Sequence, residues 1–435
     1  MSAGDSAGEQ PTFTEAPRSS PVIGRPDVLV VGAGSAGVAA AVASARSGAD
    51  TWLIERSGTV GGLASVGLIN LLLTLDDGEG TQVVAGLCQE VVDRLEAAGQ
   101  ARYPAPPQWG SADAALVSHW RSWGLVWGAP ESVRYSVAYD PDAFVDVCYE
   151  LLAESGARLR LHTHFAACVR AGGPERPGPI TAVLVESKRG REAILPRVVV
   201  DASGDGDVAA SAGVPFELVP IPPHLWFRVG GVDPDVAAGA GFFLTTAPGR
   251  VLVPWGPHPV RVDATDPDSM TAAELACRLS ARESFGALRR DHPAFGGAWL
   301  DGYAGMLGIT ESRRMIGDHV LAREEAGVAF PDSVATTGHW TRRGAVFHIP
   351  LRSMTTSTVP NLVVAGRCIS TTRYVHQATK EIPAAMATGH AAGVAAAMAA
   401  ATDSSTDSAV VSGVDRGRLR ARLRAEGALV GGPDR

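Results

Sequence analysis

Three glycines in one short stretch have the spacing of a turn that holds phosphate groups. The stretch DVLVVGAGSAGVAAA places Gly32, Gly34 and Gly37 directly after an apolar, β-branched run. Such glycines allow a tight turn, a close approach of the backbone to a pyrophosphate, and close packing of the next helix on the strand. We therefore predict a strand, turn and helix that bind a dinucleotide. The predicted contacts are Gly32, Gly34, Ser35, Ala36 and Gly37.

An acidic residue and a second glycine pair follow this turn. Glu55 ends a second apolar run about twenty residues later, where a carboxylate accepts hydrogen bonds from ribose hydroxyls. Gly61 and Gly62 then mark another place where the backbone comes close to a second group, although an ordinary flexible turn is the alternative. The predicted contacts of this segment are Glu55, Arg56, Gly61, Gly62 and Leu63.

A cation precedes an alanine-rich helix near the end of the chain. The segment HQATKEIP places His376, Lys380 and Glu381 before AAMATGHAAGVAAAMAA, and Lys380 is one of only two lysines in the sequence. Pro383 suits the first turn of a helix, whose N-terminus carries about half a positive charge. We predict that Lys380 adds positive charge there and that Glu381 interacts favourably with the helix dipole. A solvated lysine is the alternative.

The composition favours a soluble, cytoplasmic protein with a large core. The 435 residues carry a formal charge of −8, with no basic stripe, which argues against a nucleic-acid surface. Five widely spaced cysteines without a C-x-x-C pair indicate reduced thiols, with neither a disulfide framework nor a zinc site. No apolar run is long enough to span a membrane. Residues 1–25 are polar and are predicted to form a disordered tail.

Periodicity predicts the elements between these motifs. A helix is expected at residues 143–156, followed by strands in ARLRLHTHFAACVRA, ITAVLVESKRG and AILPRVVVDASGDGDVAASAG. His162 and His164 are expected on one face of the first of these strands. No third ligand accompanies them, so no metal site is predicted.

With these pieces in order, the chain resembles the bacterial FAD-dependent oxidoreductases of the glutathione-reductase-like superfamily. The resemblance rests on DVLVVGAGSAGVAAA, GLASVGLIN, VVVDASGDGDVAASAGVPFE, LWFRVGGVD, GITESRRMIGDHVL, FHIPLRS, NLVVAGRCIS and PAAMATGHAAGVAAA, which follow the order of the family. It implies FAD as cofactor and an α/β fold, in which a Rossmann-like FAD-binding domain carries an inserted α+β substrate domain. It does not identify a substrate.

The resemblance also implies domain boundaries and further cofactor contacts. The FAD-binding domain is expected at 26–75, 137–215 and 307–400, the substrate domain at 76–136 and 216–306, and a linker with a closing helix at 401–435. The additional FAD contacts that it implies are Ala202, Ser203, Gly204, Gly366, Arg367, Ile382 and Pro383.

Two catalytic roles follow from the same resemblance. Lys380 stands where the family usually has arginine, and a cation there would stabilise the negative charge of the reduced flavin; a role in the reaction with oxygen is the alternative. His376 is expected to be a base or hydrogen-bond donor beside the substrate, and a buried histidine that bridges loop backbone is the alternative. Further substrate contacts are expected from Trp226, Arg228, His348 and Arg352.

The first insert is rich in tryptophan. It contains Trp109, Trp120, Trp123 and Trp127, four of the nine tryptophans in the chain. They could line a pocket or lid, and burial in a core or interface is the alternative.

A single dinucleotide fingerprint suggests where the electrons come from. The sequence contains neither a second fingerprint for NAD(P)H nor a C-x-x-x-x-C redox pair. We therefore expect a dehydrogenase or oxidase that moves a hydride from a small organic molecule, such as a specialised metabolite, to the flavin. The alternatives are a flavin monooxygenase or halogenase, although GRC stands where a hydroxylase usually has GD, and a non-catalytic FAD-binding subunit. The chain could form a homodimer.

Overall fold

A computed structural model of the protein describes residues 13–173, 176–233, 242–254, 260–402 and 409–431. The helices in these residues are α1 (Ser35–Arg46), α2 (Leu87–Ala97), α3 (Ala114–Ser122), α4 (Pro141–Ser155), α5 (Asp207–Ser211), α6 (Pro267–Asp291), α7 (Arg373–Thr379), α8 (Ile382–Ala400) and α9 (Arg416–Ala425). The strands are β1 (Val22–Gly24), β2 (Val28–Val31), β3 (Thr51–Ile54), β4 (Leu71–Leu72), β5 (Ala101–Arg102), β6 (Val137–Tyr139), β7 (Arg158–Arg160), β8 (His164–Arg170), β9 (Ile180–Ser187), β10 (Gly190–Ile194), β11 (Val198–Asp201), β12 (Phe216–Leu218), β13 (Phe227–Gly230), β14 (Phe243–Leu244), β15 (Arg250–Val253), β16 (Trp299–Tyr303), β17 (Arg313–Met315), β18 (Ser333–His339), β19 (Arg342–Pro350) and β20 (Leu362–Val364).

A parallel sheet with the strand order β20-β11-β2-β3-β7 forms the centre of the first core. Four of these strands are buried at every residue, which is the pattern of a parallel sheet covered on both faces. Their carboxyl ends meet at one edge of the sheet. Ligands of open parallel sheets bind at this edge, so the loops that follow these strands form the candidate site.

Helix α8 packs along α1 through small residues. A Cβ atom on Gly389 would lie 2.1 Å from the carbonyl oxygen of Ala36, and one on Gly393 would lie 2.3 Å from that of Ala40. Any side chain at either position would force the helices apart, and residues four apart share one helix face. The packing of α8 on α1 therefore accounts for much of its alanine- and glycine-rich sequence.

An antiparallel meander of β8, β9 and β10 is extended by β1, which runs parallel to β10. The prediction of a disordered tail is therefore wrong for 22–24, because this backbone pairs with the edge of β10; residues 1–12 lie outside the described part of the chain. The predicted histidine pair also differs. His162 precedes β8 with a φ of 52°, so it does not share a strand face with His164.

A second hydrophobic core surrounds the sheet β14-β15-β13-β16 and the long helix α6. The predicted insert at 76–136 divides between the two cores. Helix α2 packs on α4 and α8, and its Val91 and Leu95 belong to the first core. Trp120 and Leu125 belong to the second. The chain already contributes Leu68, Leu71 and Leu73 to the second core before the predicted boundary at residue 76, returns to the first core with α2, and enters the second core again near α3.

The C-terminal helix α9 packs on α8 and β18. Directly after it, Glu426 Oε2 lies 2.7 Å from His390 Nε2 of α8. Among the described helices, α8 has the length and apolar composition to cross a membrane, but 89% of its most apolar window is buried inside the protein. It is placed as the core helix of an α/β fold of the soluble type.

Candidate active site

The turn after β2 is crowded on one side and open on the other. Gly32 has a φ of 95°, and a Cβ atom there would lie 2.6 Å from the carbonyl oxygen of Ala202. A Cβ atom on Gly37 would lie 1.8 Å from the carbonyl oxygen of Gly32. At Gly34, no described group beyond its chain neighbours lies within 4 Å of the Cβ position. The turn therefore presents bare backbone at Gly34, directly before α1.

The N-terminus of α1 has the features of an anion-binding site. No side chain caps it. The second glycine pair lies beside it: Gly61 forms a backbone bridge with Gly34, and a Cβ atom on Gly62 would lie 3.1 Å from the Gly34 Cα. The Ser35 hydroxyl lies 3.5 Å from the carbonyl oxygen of Gly61. Free amide groups and the helix dipole favour a phosphate here, and the next turn, Gly62–Ala64, contains Leu63.

Glu55 is held at the end of β3 by two backbone amides. Its Oε2 accepts a hydrogen bond from Ala33 at 2.8 Å, and its Oε1 accepts one from Ser57 at 2.8 Å. A carboxylate fixed in this way keeps lone pairs for the hydroxyls of a ribose. The neighbouring Arg56 is exposed, and its positive charge contributes to lowering the pKa of Asp205 across the site.

The loop after β11 lies against the glycine turn. The Ala202 amide donates to Val31, and the Ser203 hydroxyl donates to the buried Asp201 carboxylate at 2.7 Å. Burial raises the pKa of Asp201 to about 6. Gly204 has a φ of 82°, and a Cβ atom there would lie 3.0 Å from the guanidinium carbon of Arg367. The loop after β11 and the loop after β20 therefore meet at Gly204.

Arg367 is engaged by a carboxylate of the same site. Its Nη2 lies 2.7 Å from Asp205 Oδ1, which also accepts a hydrogen bond from Ser312. Burial opposes ionisation of Asp205, but the charge of Arg367 and these hydrogen bonds outweigh it and lower its pKa. The Arg367 Nε has no partner among the described residues. The preceding Gly366 has a φ of 84° and donates to Thr388 of α8.

These residues fit FAD. The open backbone at Gly34 and the free amides of α1 suit a pyrophosphate, and Glu55 suits a ribose. All of them lie at the carboxyl edge of the central sheet, where the loops after β11 and β20 add further backbone. FAD could be held at this edge without any metal ligand.

Lys380 lies at the junction of α7 and α8. Its Nζ is 2.7 Å from Glu381 Oε1 and 5.7 Å from the centre of the Trp340 ring. Ile382 and Pro383 form the first turn of α8. Glu381 occupies the N-cap position, but its side chain makes no capping hydrogen bond and pairs with Lys380. The glutamate, which we predicted to interact with the helix dipole, therefore also offsets part of the positive charge of Lys380.

A row of aromatic rings leads away from Lys380. Neighbouring ring centres are 5.5, 6.0, 5.7 and 6.4 Å apart. In that order the members of this aromatic row are Trp340, Trp127, Phe243, Trp226 and His224. Phe243 and Trp226 belong to the second core, and Trp127 packs on it. Trp340 follows β18. The row thus lines the boundary between the second core and the start of α8.

The other tryptophans of the first insert have different surroundings. Trp109 stacks on Tyr135 with ring centres 4.3 Å apart, and Trp120 is buried in the second core. Trp123 is partly buried against the same core. Of the four, Trp127 is the one that joins the aromatic row.

The imidazoles near Lys380 are neutral at neutral pH. Burial, assisted by the charge of Lys380, lowers the pKa of His224 to about 4. Burial and the charges of Arg342, Arg134 and Lys380 lower the pKa of His339 to about 4. The imidazoles of His224 and His339 therefore act as neutral hydrogen-bonding groups.

His376 is placed in the interior. It is 1% exposed, and its Nδ1 lies 3.8 Å from Glu311 Oε1. Burial and the charges of Lys380, Arg314 and Arg367 lower its pKa well below the usual value, although a hydrogen bond to the Arg367 backbone opposes the shift. This buried environment contains one hydrogen bond to loop backbone, and Nδ1 has no hydrogen-bond partner among the described residues. It does not give the imidazole a substrate-facing surface.

Three predicted substrate residues make contacts with other parts of the protein. Arg228 pairs with Asp142 at 2.8 Å and with Asp301 at 3.5 Å. Arg352 pairs with Asp332 at 3.2 Å and lies over the Phe330 ring. His348 is buried on β19 against Gly431, near the C-terminal segment. Of the four predicted substrate residues, Trp226 is the one in the aromatic row.

Sequence reasoning missed Trp340, Phe243 and Asp205. Trp340 occurs in GHWTRR, a hairpin tip without a recognisable motif, and Phe243 lies in a short strand. For Asp205 a signal existed, because SGDGD places it between two glycines beside the predicted Gly204 contact.

Comparison with known proteins agrees with this geometry. The profile of the family described as FAD dependent oxidoreductase matches residues 27–250 and 226–423. No curated protein matches. A geranylgeranyl bacteriochlorophyll reductase-like protein from Thermoplasma acidophilum is 16% identical, with 86% of this chain and 78% of that chain covered and a TM-score of 0.49.

A second solved structure shows the shared fold. The flavin-dependent brominase Bmp2 is 13% identical, with 92% of this chain and 84% of that chain covered and a TM-score of 0.52. The family match extends over most of the chain and includes the glycine turn, Glu55, the loop of Gly204 and the start of α8. The chain belongs to the FAD dependent oxidoreductase family and is an enzyme that uses FAD.

Proposed function

We propose that the enzyme is a dehydrogenase or oxidase that removes a hydride from a small, flat organic molecule. The observation that supports it is the aromatic row that ends at Lys380, beside the first turn of α8. Aromatic rings bind flat apolar groups through large contact areas. The single nucleotide fingerprint supports an organic electron donor in place of NAD(P)H. The parallel sheet and its meander support a glutathione-reductase-like arrangement of the FAD half.

FAD, when bound, supplies a hydride acceptor. The chain contributes binding and electrostatics: the glycine turn and α1 would hold the pyrophosphate, and Glu55 would hold the ribose. The N-terminus of α8 and Lys380 place positive potential near the aromatic row, and Glu381 reduces it. Such potential stabilises negative charge that develops during reduction.

The aromatic row and the neutral imidazoles would orient the substrate and exclude water. His224 Nδ1 is buried and has no hydrogen-bond partner among the described residues. Trp340 is itself fixed, because its Nε1 donates to the carbonyl oxygen of Gln377 at 2.9 Å. A fixed ring favours one orientation of a bound molecule.

Anaerobic reduction of the bound flavin tests the proposed electron donor. Small aromatic and alicyclic alcohols, amines and acids are added to the yellow protein, and bleaching of the flavin absorbance is followed. We expect at least one of these classes to bleach it in the absence of NAD(P)H. Bleaching by NADH or NADPH alone would instead establish the monooxygenase alternative and reject a dehydrogenase or oxidase.

A further inference from the structure

The middle of helix α6 presents leucines to solvent and smaller side chains to the second core. Leu275 and Leu279 are 63% and 54% exposed, whereas the buried residues of the helix are Ala273, Cys277 and Ala281. A helix that packs only on its own domain places its larger apolar residues inside. Two large apolar side chains one turn apart on the outside therefore indicate a surface that binds a partner.

Helix α4 shows the usual arrangement of such a helix in this protein. Its buried residues include Phe144, Val147 and Leu151, and its exposed residues include Asp146 and Glu150. Large apolar side chains thus lie inside and charged ones outside. The larger apolar residues of α6 that pack on the second core are nearer its ends, at Met270, Phe285 and Leu288. The reversed arrangement is therefore confined to the middle of α6.

The exposed face of α6 changes in character along the helix. Residues at spacings of three, four and seven lie on one side of a helix. By this spacing the exposed face contains Asp268, Leu275, Leu279, Arg282 and Arg290, and all five residues are exposed. The face is thus acidic near the N-terminus of α6, apolar in the middle and basic near the C-terminus.

The charged groups of this face form no ion pair with a residue that the structure describes. The ion pair within α6 instead joins Arg278 and Glu274, with Nε and Oε2 3.2 Å apart. The guanidinium group of Arg290 lies along the exposed face, because a Cβ atom on Gly286 would lie 3.4 Å from its Nη1. The acidic and basic ends of the face are therefore available to charges on another molecule.

We propose that this face binds the same face of a second copy of the chain, with the two α6 helices antiparallel. A two-fold axis between Leu275 and Leu279 brings Leu275 of each copy against Leu279 of the other. At about 1.5 Å per residue, Asp268 of one copy then lies about 6 Å along the helix axis from both Arg282 and Arg290 of the other. The face is thus complementary to itself, as a two-fold interface requires, and antiparallel helix dipoles attract each other. The assembly does not depend on the proposed reaction.

Sedimentation of the full chain with FAD bound, over a range of protein concentrations, tests this assembly. We expect a dimer that dissociates on dilution, because one pair of helices forms a small interface. Leu275→Lys combined with Leu279→Lys should raise the Kd of the dimer at least about tenfold. The melting temperature of the monomer should stay unchanged, since both side chains are exposed. Val169→Lys, at a site on β8 that is 46% exposed, is the matched control and should leave the Kd of the dimer unchanged.

Exchange of the charges tests the antiparallel pairing. One variant carries Asp268→Arg, and the other carries Arg282→Glu and Arg290→Glu. Each variant alone should dimerise at least about tenfold more weakly, because like charges then face each other at both ends of the interface. An equimolar mixture of the two should dimerise as well as the unchanged protein, because opposite charges then meet at both ends.

Three results would overturn the proposal. The unchanged protein could remain monomeric at every concentration measured. A dimer could form whose Kd neither the lysine nor the charge substitutions alter, which would place the interface on another surface. The mixture of charge variants could dimerise no better than each variant alone, which would reject the antiparallel pairing of α6.

Discussion

The glycine turn and the aromatic row are encoded in opposite ways. The turn is built from Gly32, Gly34 and Gly37, three residues within a single motif. The row is assembled from rings that are distant in the sequence, from Trp127 to Trp340. The turn depends on the absence of side chains, and the row depends on their presence. The difference teaches that the proposed FAD contacts of the turn are local in the sequence, whereas the aromatic row, our proposed substrate surface, exists only in the assembled fold.

Two alanine substitutions in the turn should have the largest effect and should separate packing from binding. Gly37→Ala places a Cβ atom 1.8 Å from a backbone oxygen, so we expect a loss of about 3 kcal/mol in the free energy of unfolding, or failure to fold. Gly34→Ala meets open space and should leave the apoprotein stable, but should raise the Kd for FAD at least about tenfold. Urea unfolding and FAD titration measure both. If the two variants have the same free energy of unfolding and the same Kd for FAD, the turn is not crowded at Gly37 and open at Gly34 as described.

Acid should lower the free energy of unfolding of the apoprotein, because the unfolded chain takes up protons at imidazoles that are buried and neutral in the folded chain. Burial lowers the pKa of His224 from 6.5 to about 4, so between these pH values the unfolded chain binds a proton that the folded chain excludes. Stability is therefore complete above about pH 6.5 and falls toward pH 4, by up to about 1.4 kcal/mol per pH unit for such a histidine. Urea unfolding at several pH values measures this slope. His224→Gln should reduce this slope by up to about 1.4 kcal/mol per pH unit, which corresponds to one proton. An unchanged slope would show that His224 does not cause the loss of stability.

The charge pair beside the row should tune the flavin without affecting the turn. Lys380→Met removes a positive charge and should lower the flavin reduction potential by roughly 30 mV, which is tenfold in a two-electron equilibrium. Glu381→Gln should raise it. The double variant should lie between them, because the two charges are 2.7 Å apart. Redox titration against reference dyes gives these values. If the reduction potential is the same in all three variants as in the unchanged protein, the flavin does not lie beside Lys380 and Glu381.

The smallest effect is expected from Trp340→Phe, which keeps a ring in the row. The hydrogen bond to Gln377 is lost, so stability should fall by about 1 kcal/mol. The rate of flavin reduction by the identified substrate should fall severalfold, while the Kd for FAD stays unchanged. Stopped-flow reduction and FAD titration test whether row and turn are independent. A changed Kd would show that the two regions are coupled.

Much of the fold could be predicted because local chemistry determines it. The helix expected at 143–156 occurs at Pro141–Ser155, since the Asp140 side chain accepts from two amides at its start and Gly156, with a φ of 77°, ends it. The buried strands around the glycine turn were evident as β-branched runs. The closing helix α9 also lies within the region expected for it.

The candidate site was less accessible to sequence reasoning. The surroundings of His376 depend on Glu311 and Arg367, which lie in other segments, and no local pattern reports their distance. Glu381 was expected to serve the helix, but a neighbouring cation competes for it.

The position of β20 in the central sheet has a consequence for synthesis of the protein on the ribosome. β20 pairs with β11, and its segment begins more than 300 residues after β3 ends, with residues 54 and 362 as the limits. At about 5–20 residues per second, roughly 15–60 s separate their emergence. Until then the side of β11 that faces away from β2 is unpaired, and Gly366 is absent from the candidate FAD site. The nascent chain therefore completes the candidate cofactor site long after its glycine turn has emerged, which makes FAD a late partner in folding.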